Sequence, residues 1–578
     1  MDTPRADDAA PEPFLTQLRS FGLVYWIANW MELVERFAYY GVRVVLPVFM
    51  VAAFDAGGPQ LDHVQKGTIY GVWAIVQSFV PILSGGFADR FGYKLNIALS
   101  TILKIAGYLV MGYCVPMAEA LAGMPLAEAR SLGIDLVYGI FFSGAMLLAL
   151  GTAIFKPGVQ GLIGRQMPKA SASLGWGLFY QMVNIGGFIG PLIAGYLRVL
   201  DWTYVFLICA VGIAFNFLPL LMFREPEPED GAESIDNPVH ILYDAMRGLT
   251  EPRLFFFTIS FAGFWLMFYQ LFDILPNFID DWVDSRGPAN FLAGLFGASA
   301  VPTVNGGNLT QEWMINFNAF LISLFAFLFG YLTGMIRSLV AIVIGIGISA
   351  VAIYGLGMSM SGWWTLGAIA LFSVGEMSAS PTKMRYLSSI APPGKQGQYM
   401  GYVNFTVGIG WSVGSVIAGE WYQRGGDKIV LARRYLQERL GMAAAEVQAI
   451  DRGDVLDVLY QRAGVDPFSA RRLLWEAYEP YSMWLAFALI GLASLICIAL
   501  YDLAVRRADR NPEHPFNDPR SPLVLLFLVP IVGTFAYFTA VAESRGPLLL
   551  NTLFFTVMLA VAGIELGKRR RNGRVSRT

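Results

Sequence analysis

The chain has 578 residues, of which 55% are hydrophobic and 15% charged, and a mean hydropathy of +0.52. Such values exclude a soluble multidomain protein and make the bilayer the better solvent. The formal net charge is −2, and the charges gather in a few short loops, one long loop and two tails, so no nucleic-acid partner is implied.

Residues 1–20 are acidic and Pro/Ala-rich, which predicts a cytoplasmic tail rather than a cleaved signal peptide. A spanning helix needs about 20 mostly apolar residues. Six such stretches lie near 21–53, 68–88, 95–115, 135–156, 172–198 and 202–223, predicting an N-terminal six-helix bundle over 21–223. A cytoplasmic linker, 224–253, follows. Stretches near 254–281, 313–335, 338–360, 363–381, 398–422 and 482–502 predict a second six-helix bundle over 254–502. Between its last two spans, 424–480 is rich in helix formers with apolar residues at helical spacing. It predicts two or three short helices as an extracytoplasmic cap. A cytoplasmic loop, 503–521, leads to two extra spans over 522–567, near 522–541 and 548–567, and a basic tail, 568–578. The chain thus reads as an all-α membrane protein with about 14 spans.

Lys and Arg in short loops mark the cytoplasmic face. An inside N-terminus gathers Arg90, Lys94, Lys156, Arg165, Lys169, Arg224, Arg247, Arg253, Arg337, Lys383, Arg385, Lys395, Arg506, Arg507 and Arg510 there with the C-terminal tail. Lys66, Arg130 and Arg286 fall on the other side. Six helices, a charged linker and six helices predict a parallel repeat about an axis along the membrane normal. Lys156-Pro157 is expected to end the fourth helix and Ser380-Pro381 the tenth. Cys114, Cys209 and Cys497 show no paired spacing and read as packing residues; His63, His240 and His514 fall in loops or linkers.

An ionisable residue inside a membrane span is a functional-site hypothesis by default. The first span, WMELVERFAYYGVR, holds Glu32, Glu35, Arg36 and Arg43, and the spacing stacks Glu32, Arg36, Tyr40 and Arg43 along one stripe facing the bundle interior. A carboxylate beside an arginine can exchange a proton for a salt bridge, which is what a proton-coupled carrier requires. No GxxxxGK[ST] loop, metal spacing or nucleophile–base pair is present, so the expectation is an ion-gradient carrier, not an enzyme, with no cofactor beyond the proton gradient.

Glu32, Glu35, Arg36, Phe37, Tyr39, Tyr40 and Gly41 reproduce ExxERFxYYG and resemble the proton-dependent oligopeptide transporter family. GTAIFKPG (151–158), FYQMVNIGGFIGPLIAGYL (179–197) and GEMSASP (375–381) are similar to its fourth-, fifth- and tenth-helix segments. GGFADRFGYK, with Asp89, Arg90, Gly92 and Lys94, resembles the general major-facilitator loop. The resemblance implies the major facilitator fold for roughly residues 20–422, with the last two helices as an addition. It implies that Glu32, Glu35 and Arg36 couple protons. Tyr39, Tyr40, Arg43, Lys156, Asn184, Trp265, Gln270, Asn318 and Glu376 would contact substrate, and Lys156 would pair with Glu376 across the halves. Tyr269 stands where the family has a seventh-helix acid that closes a gate against an arginine of the first helix. Asp273, one turn on, is the expected substitute partner of Arg43. Ser78, three residues before Pro81, stands where the family often has a tyrosine, and Ala319 replaces a proline after Asn318.

The implied function is a proton symporter importing di- and tripeptides or similar zwitterions across the cell membrane by alternating access. Two alternatives remain: a proton-coupled carrier of organic anions, nitrate or drugs, and a non-transporting sensor or scaffold. The partners implied are the substrate, protons and the lipid bilayer.

Overall fold

A computed structural model describes residues 13–575 apart from 134, 169–170, 225–237, 393–395 and 520. Most of the N-terminal tail, the middle of the linker, Lys169 and Lys395 lie outside the described residues, as do the side chains of Asp89, Arg90 and 569–578.

Among the described residues there are fourteen long helices. The first half comprises α1 (Leu23–Phe49), α2 (His63–Phe91), α3 (Tyr93–Gly112), α4 (Val137–Gln166), α5 (Ala172–Leu200) and α6 (Trp202–Ala214, continued by Phe217–Met222). The second comprises α7 (Pro252–Phe268), α8 (Gln311–Gly334), α9 (Ser338–Leu356), α10 (Gly362–Ile390), α11 (Gln396–Gly425) and α12 (Ser482–Arg510). A pair, α13 (Leu523–Val541) and α14 (Arg545–Val575), follows. Ten of the fourteen are long and apolar enough to cross a membrane by composition alone.

Helix pairing repeats between the halves. α1 packs on α5 and α6 as α7 packs on α11 and α12, and α4 packs on α2 and α3 as α10 packs on α8 and α9. Glycine permits the closest approaches, because backbones can touch where no Cβ intervenes. A Cβ on Gly186 of α5 would run into the Leu33 carbonyl of α1, and one on Gly410 of α11 into the Ala262 carbonyl of α7. The halves meet through α2 against α11 and α5 against α8, which are equivalent positions in the repeat.

Several expectations change. α4 runs through Pro157 to Gln166 and α10 through Pro381 to Ile390, so neither Lys156-Pro157 nor Ser380-Pro381 ends its helix. Membrane helices tolerate proline because neighbouring groups re-satisfy the freed carbonyl. α7 does break, at Tyr269 and again at Ile274, into short segments Gln270–Asp273 and Leu275–Trp282. The 424–480 insert holds four helices rather than two or three: Lys428–Glu438, Ala444–Gln448, Val455–Ala463 and Pro467–Tyr478. A segment with no sequence expectation, between α7 and α8, forms a helix, Arg286–Phe296, and a small hairpin of Thr303–Val304 with Asn308–Leu309. His63 lies in the first turn of α2 and is buried, and Cys497 is exposed on the outside of α12 instead of packed. α14 runs along α2 and α11; Thr68 donates to Ser544 (2.9 Å) and Asn551 to Ser412 (2.9 Å).

Candidate functional site

A cavity of about 330 Å³ lies between the halves, a size suited to a small ligand. α1 supplies Arg36, Tyr39, Tyr40 and Arg43 to its wall; of the predicted stripe, Arg36, Tyr40 and Arg43 line the cavity and Glu32 does not. Lys156 of α4 and Asn184 of α5 join them, facing Trp265, Asn318 and Glu376 of the second half. Gln270 does not reach the cavity. It is fully buried with its amide donating to the Leu266 carbonyl (2.7 Å), because the break after Phe268 turns it toward Gly414 of α11.

The four α1 charges separate into three different pairs. Arg36 Nε donates to Glu32 Oε1 at 2.7 Å, one helical turn away. Glu35 points away from the cavity and accepts from Lys104 of α3, both side chains being fully buried. Arg43 is paired with Asp273 across the halves, and its guanidinium lies 4.0 Å from the centre of the Tyr70 ring. Each carboxylate outside the Arg43 pair keeps one oxygen, Glu32 Oε2 and Glu35 Oε1, without a partner.

Asp273 is the hub of one closed end. Its Oδ2 accepts from Ser415 Oγ (2.7 Å) and Trp411 Nε1 (3.1 Å), while Lys66 donates to its backbone carbonyl (3.0 Å) and to Asn277 Oδ1 (2.6 Å). Arg198 of α5 adds a second tie, to Glu312 of α8 (3.0 Å) and Asp280 (3.1 Å). Above them Asp427, at the start of the insert, accepts from Arg452 (2.7 Å) and contacts His63 (3.1 Å). Burial raises the Asp427 carboxyl, but Arg452 and His63 outweigh it and hold the group well below the usual carboxylate range.

The other end is arranged differently. Lys156 and Glu376 both line the cavity but form no ion pair with each other, correcting the expected link. Glu376 instead accepts from Asn318 Nδ2 (3.0 Å), which also donates to Ser373 (3.0 Å). Lys383, one residue past the Pro381-Thr382 step, lies 4.1 Å from the Trp265 ring centre. Tyr269, in place of an acid, stacks on Trp411 at 4.3 Å and 5°. Among the described residues no group of three or more His, Cys, Asp or Glu is placed to hold a metal ion.

Lys104, Lys66, Arg198 and Glu312 were not singled out by sequence reasoning. For Lys104 the signal was available: an ionisable residue within the 95–115 span meets the criterion that picked out α1. Arg198 and Glu312 sit at span ends, where charges are ordinary.

A family model described as Major Facilitator Superfamily matches residues 28–415. The chain is 31% identical over 197 residues to the peptide transporter YePEPT of Yersinia enterocolitica, a match covering 33% of this chain and 34%, about a third, of that one. It is 23% identical over 408 residues to the multidrug resistance protein MdtH of Shigella dysenteriae, covering 70% and 88%. A solved POT family transporter in complex with 5-aminolevulinic acid superposes with a TM-score of 0.54 at 16% identity, over 81% of this chain and 100% of that one. That likeness carries the fold alone.

Proposed function

The chain belongs to the Major Facilitator Superfamily, and on that premise we propose that it is a proton-coupled symporter of di- and tripeptides or similar small zwitterions. One observation carries the reading. Lys156 and Glu376 present opposite, mutually unpaired charges to one cavity, beside an α1 cluster of carboxylates and guanidinium. A zwitterion satisfies both charges at once, whereas either alone would be left uncompensated in a desolvated site. Arg43, Asn184 and Asn318 add polar contacts, and Tyr39, Tyr40 and Trp265 an amphipathic wall.

Glu32, Glu35 and Arg36 handle the proton in this reading. Arg43–Asp273 is the gate shut in the present state, and Lys156–Glu376 the gate that closes in the other, as the halves rock about the cavity. The distribution of Lys and Arg assigns the Arg43 end to the extracytoplasmic face. The relationship to YePEPT supports peptide as cargo.

The test is uptake of labelled di- and tripeptides into proteoliposomes under an imposed proton gradient, with Glu35→Gln as control. Gradient-driven accumulation that the control lacks is expected; none for any peptide removes the reading. A second reading, drug export, draws on the longer match to MdtH and on the aromatic lining of the cavity by Trp265, Phe268, Tyr269 and Phe272. It predicts gradient-dependent expulsion of lipophilic cations from the same liposomes.

A further inference from the structure

Lys104 belongs to neither the cavity nor a gate, yet it is a fully buried lysine in the middle of α3. A cation at that depth is costly unless paired, and its partner is Glu35 of α1. The surroundings are shaped for it. Gly151 of α4 leaves the space its side chain occupies, since a Cβ there would come within 2.6 Å of Lys104 Cγ. The ammonium sits 3.8 Å from the centre of the Phe155 ring, and the next residue of α4 is the cavity lysine, Lys156.

Resting on the proton-coupled reading above, we propose that Lys104 is the counter-ion of the proton site and links Glu35 to the substrate site through α4. The free Oε1 of Glu35 is available for a proton. A proton that adds to that oxygen turns the carboxylate into a neutral carboxyl, and Lys104 keeps its charge but loses its counter-charge. The remaining titratable groups around the pair are Glu32, Arg36 and Tyr39 of α1, Tyr108 of α3, Lys156 of α4 and Cys209 of α6. Glu32 is the one other carboxylate among them, and Arg36 already holds it. Lys104 is therefore driven to shift against Gly151 and Phe155, and α4 carries Lys156 with it. Lys104 acts as a positioning residue.

Lys104→Met and Lys104→Arg are purified alongside the unmodified protein, checked for a monodisperse folded state, and reconstituted in liposomes. Radiolabelled Ala-Ala is followed in two modes: accumulation driven by a proton gradient across a range of pH, and counterflow without a gradient. Lys104→Met is expected to lose about tenfold or more of the driven accumulation and its pH dependence while keeping counterflow; Lys104→Arg keeps both. Driven accumulation in Lys104→Met with the unmodified pH profile overturns the proposal. So does loss of counterflow in Lys104→Met, which would make the residue a scaffold element. If the unmodified protein shows no driven uptake of Ala-Ala, the symport reading fails and the proposal with it, a result distinct from either variant outcome.

Discussion

Arg43 of α1 and Asp273 of α7 join the two halves as a buried ion pair, with Trp411 and Ser415 occupying the second carboxylate oxygen. Removing one partner leaves the other charge uncompensated, a loss of about 3–5 kcal/mol if it stayed buried. The closed end should therefore loosen in Asp273→Asn. A cysteine placed at Val44, in the cavity wall near this gate, is expected to react about tenfold faster with a membrane-impermeant thiol reagent in that background, 1.4 kcal/mol being a factor of ten. Unchanged labelling would show that the pair does not hold the gate.

Under the proposed function, Glu376 is the carboxylate left for a substrate ammonium, because Asp273 is saturated and Glu32 and Glu35 lie behind the wall. Glu376→Gln should raise the KM for Ala-Ala about tenfold, the worth of one charged hydrogen bond, and leave the KM for N-acetylated Ala-Ala unaltered, while loss of its gate pairing with Lys156 lowers the maximal rate for both peptides alike. Lys156→Gln should impair both, since both carry a carboxylate. Equal effects of Glu376→Gln on the KM of free and acetylated peptide would contradict the assignment.

The α1 cluster was legible because four ionisable residues interrupt one apolar span at helical spacing, and Asp273 because it lies one turn from the missing acid. Lys104 escaped because a single lysine leaves the span around it apolar. The failure of the Lys156–Glu376 pair has another cause. In the proposed alternating-access reading the pair belongs to another state of the cycle, and the present conformation closes the Arg43 end instead. The overrun of α4 and α10 past their prolines is likewise set by neighbouring helices, not by local propensity. The break in α7 at Ile274 comes just before Pro276, which stands in the first turn of Leu275–Trp282 and has no N–H to carry the preceding helix through, so the sequence did hold a signal for it.

His63 gives the capping insert a pH dependence. It lies in the first turn of α2, ahead of the apolar span, and burial followed by the Lys66 charge pushes its imidazole down from 6.5 to about 3. Asp427 stays ionised in the folded protein across that window and adds slope of the same sign only at its lower end, where the unfolded carboxyl, with a value of about 3.9, takes up a proton. The unfolded chain takes up a proton below about 6.5 that the folded protein refuses, so stability rises with pH from about 3 to 6.5 and levels off above. The unmodified protein should melt at lower temperature at a pH of about 5 than at about 7.5. His63→Gln, which keeps a donor for Asp427 but does not titrate, should flatten this difference. A variant that tracks the unmodified protein would place the pH dependence elsewhere.

Tyr269 occupies the position where the family resemblance puts an acid, and the local geometry argues against restoring one. Its ring stacks on Trp411, whose indole in turn donates to Asp273. Tyr269→Glu would forfeit a stack worth about 0.5–1.5 kcal/mol and set two carboxylates one turn apart around a single guanidinium. Like charges sharing a site disfavour each other's ionisation, so Arg43 would be divided between them. Tyr269→Glu should thus lower both the melting temperature and gradient-driven uptake. Adding Asp273→Asn to it moves the acid back to position 269 and leaves Arg43 one counter-charge, so the double variant should recover part of the uptake that Asp273→Asn alone loses. Full activity in Tyr269→Glu, or a double variant worse than both single ones, would mean that the acid cannot be exchanged between the two positions and that Arg43 answers to Asp273 alone.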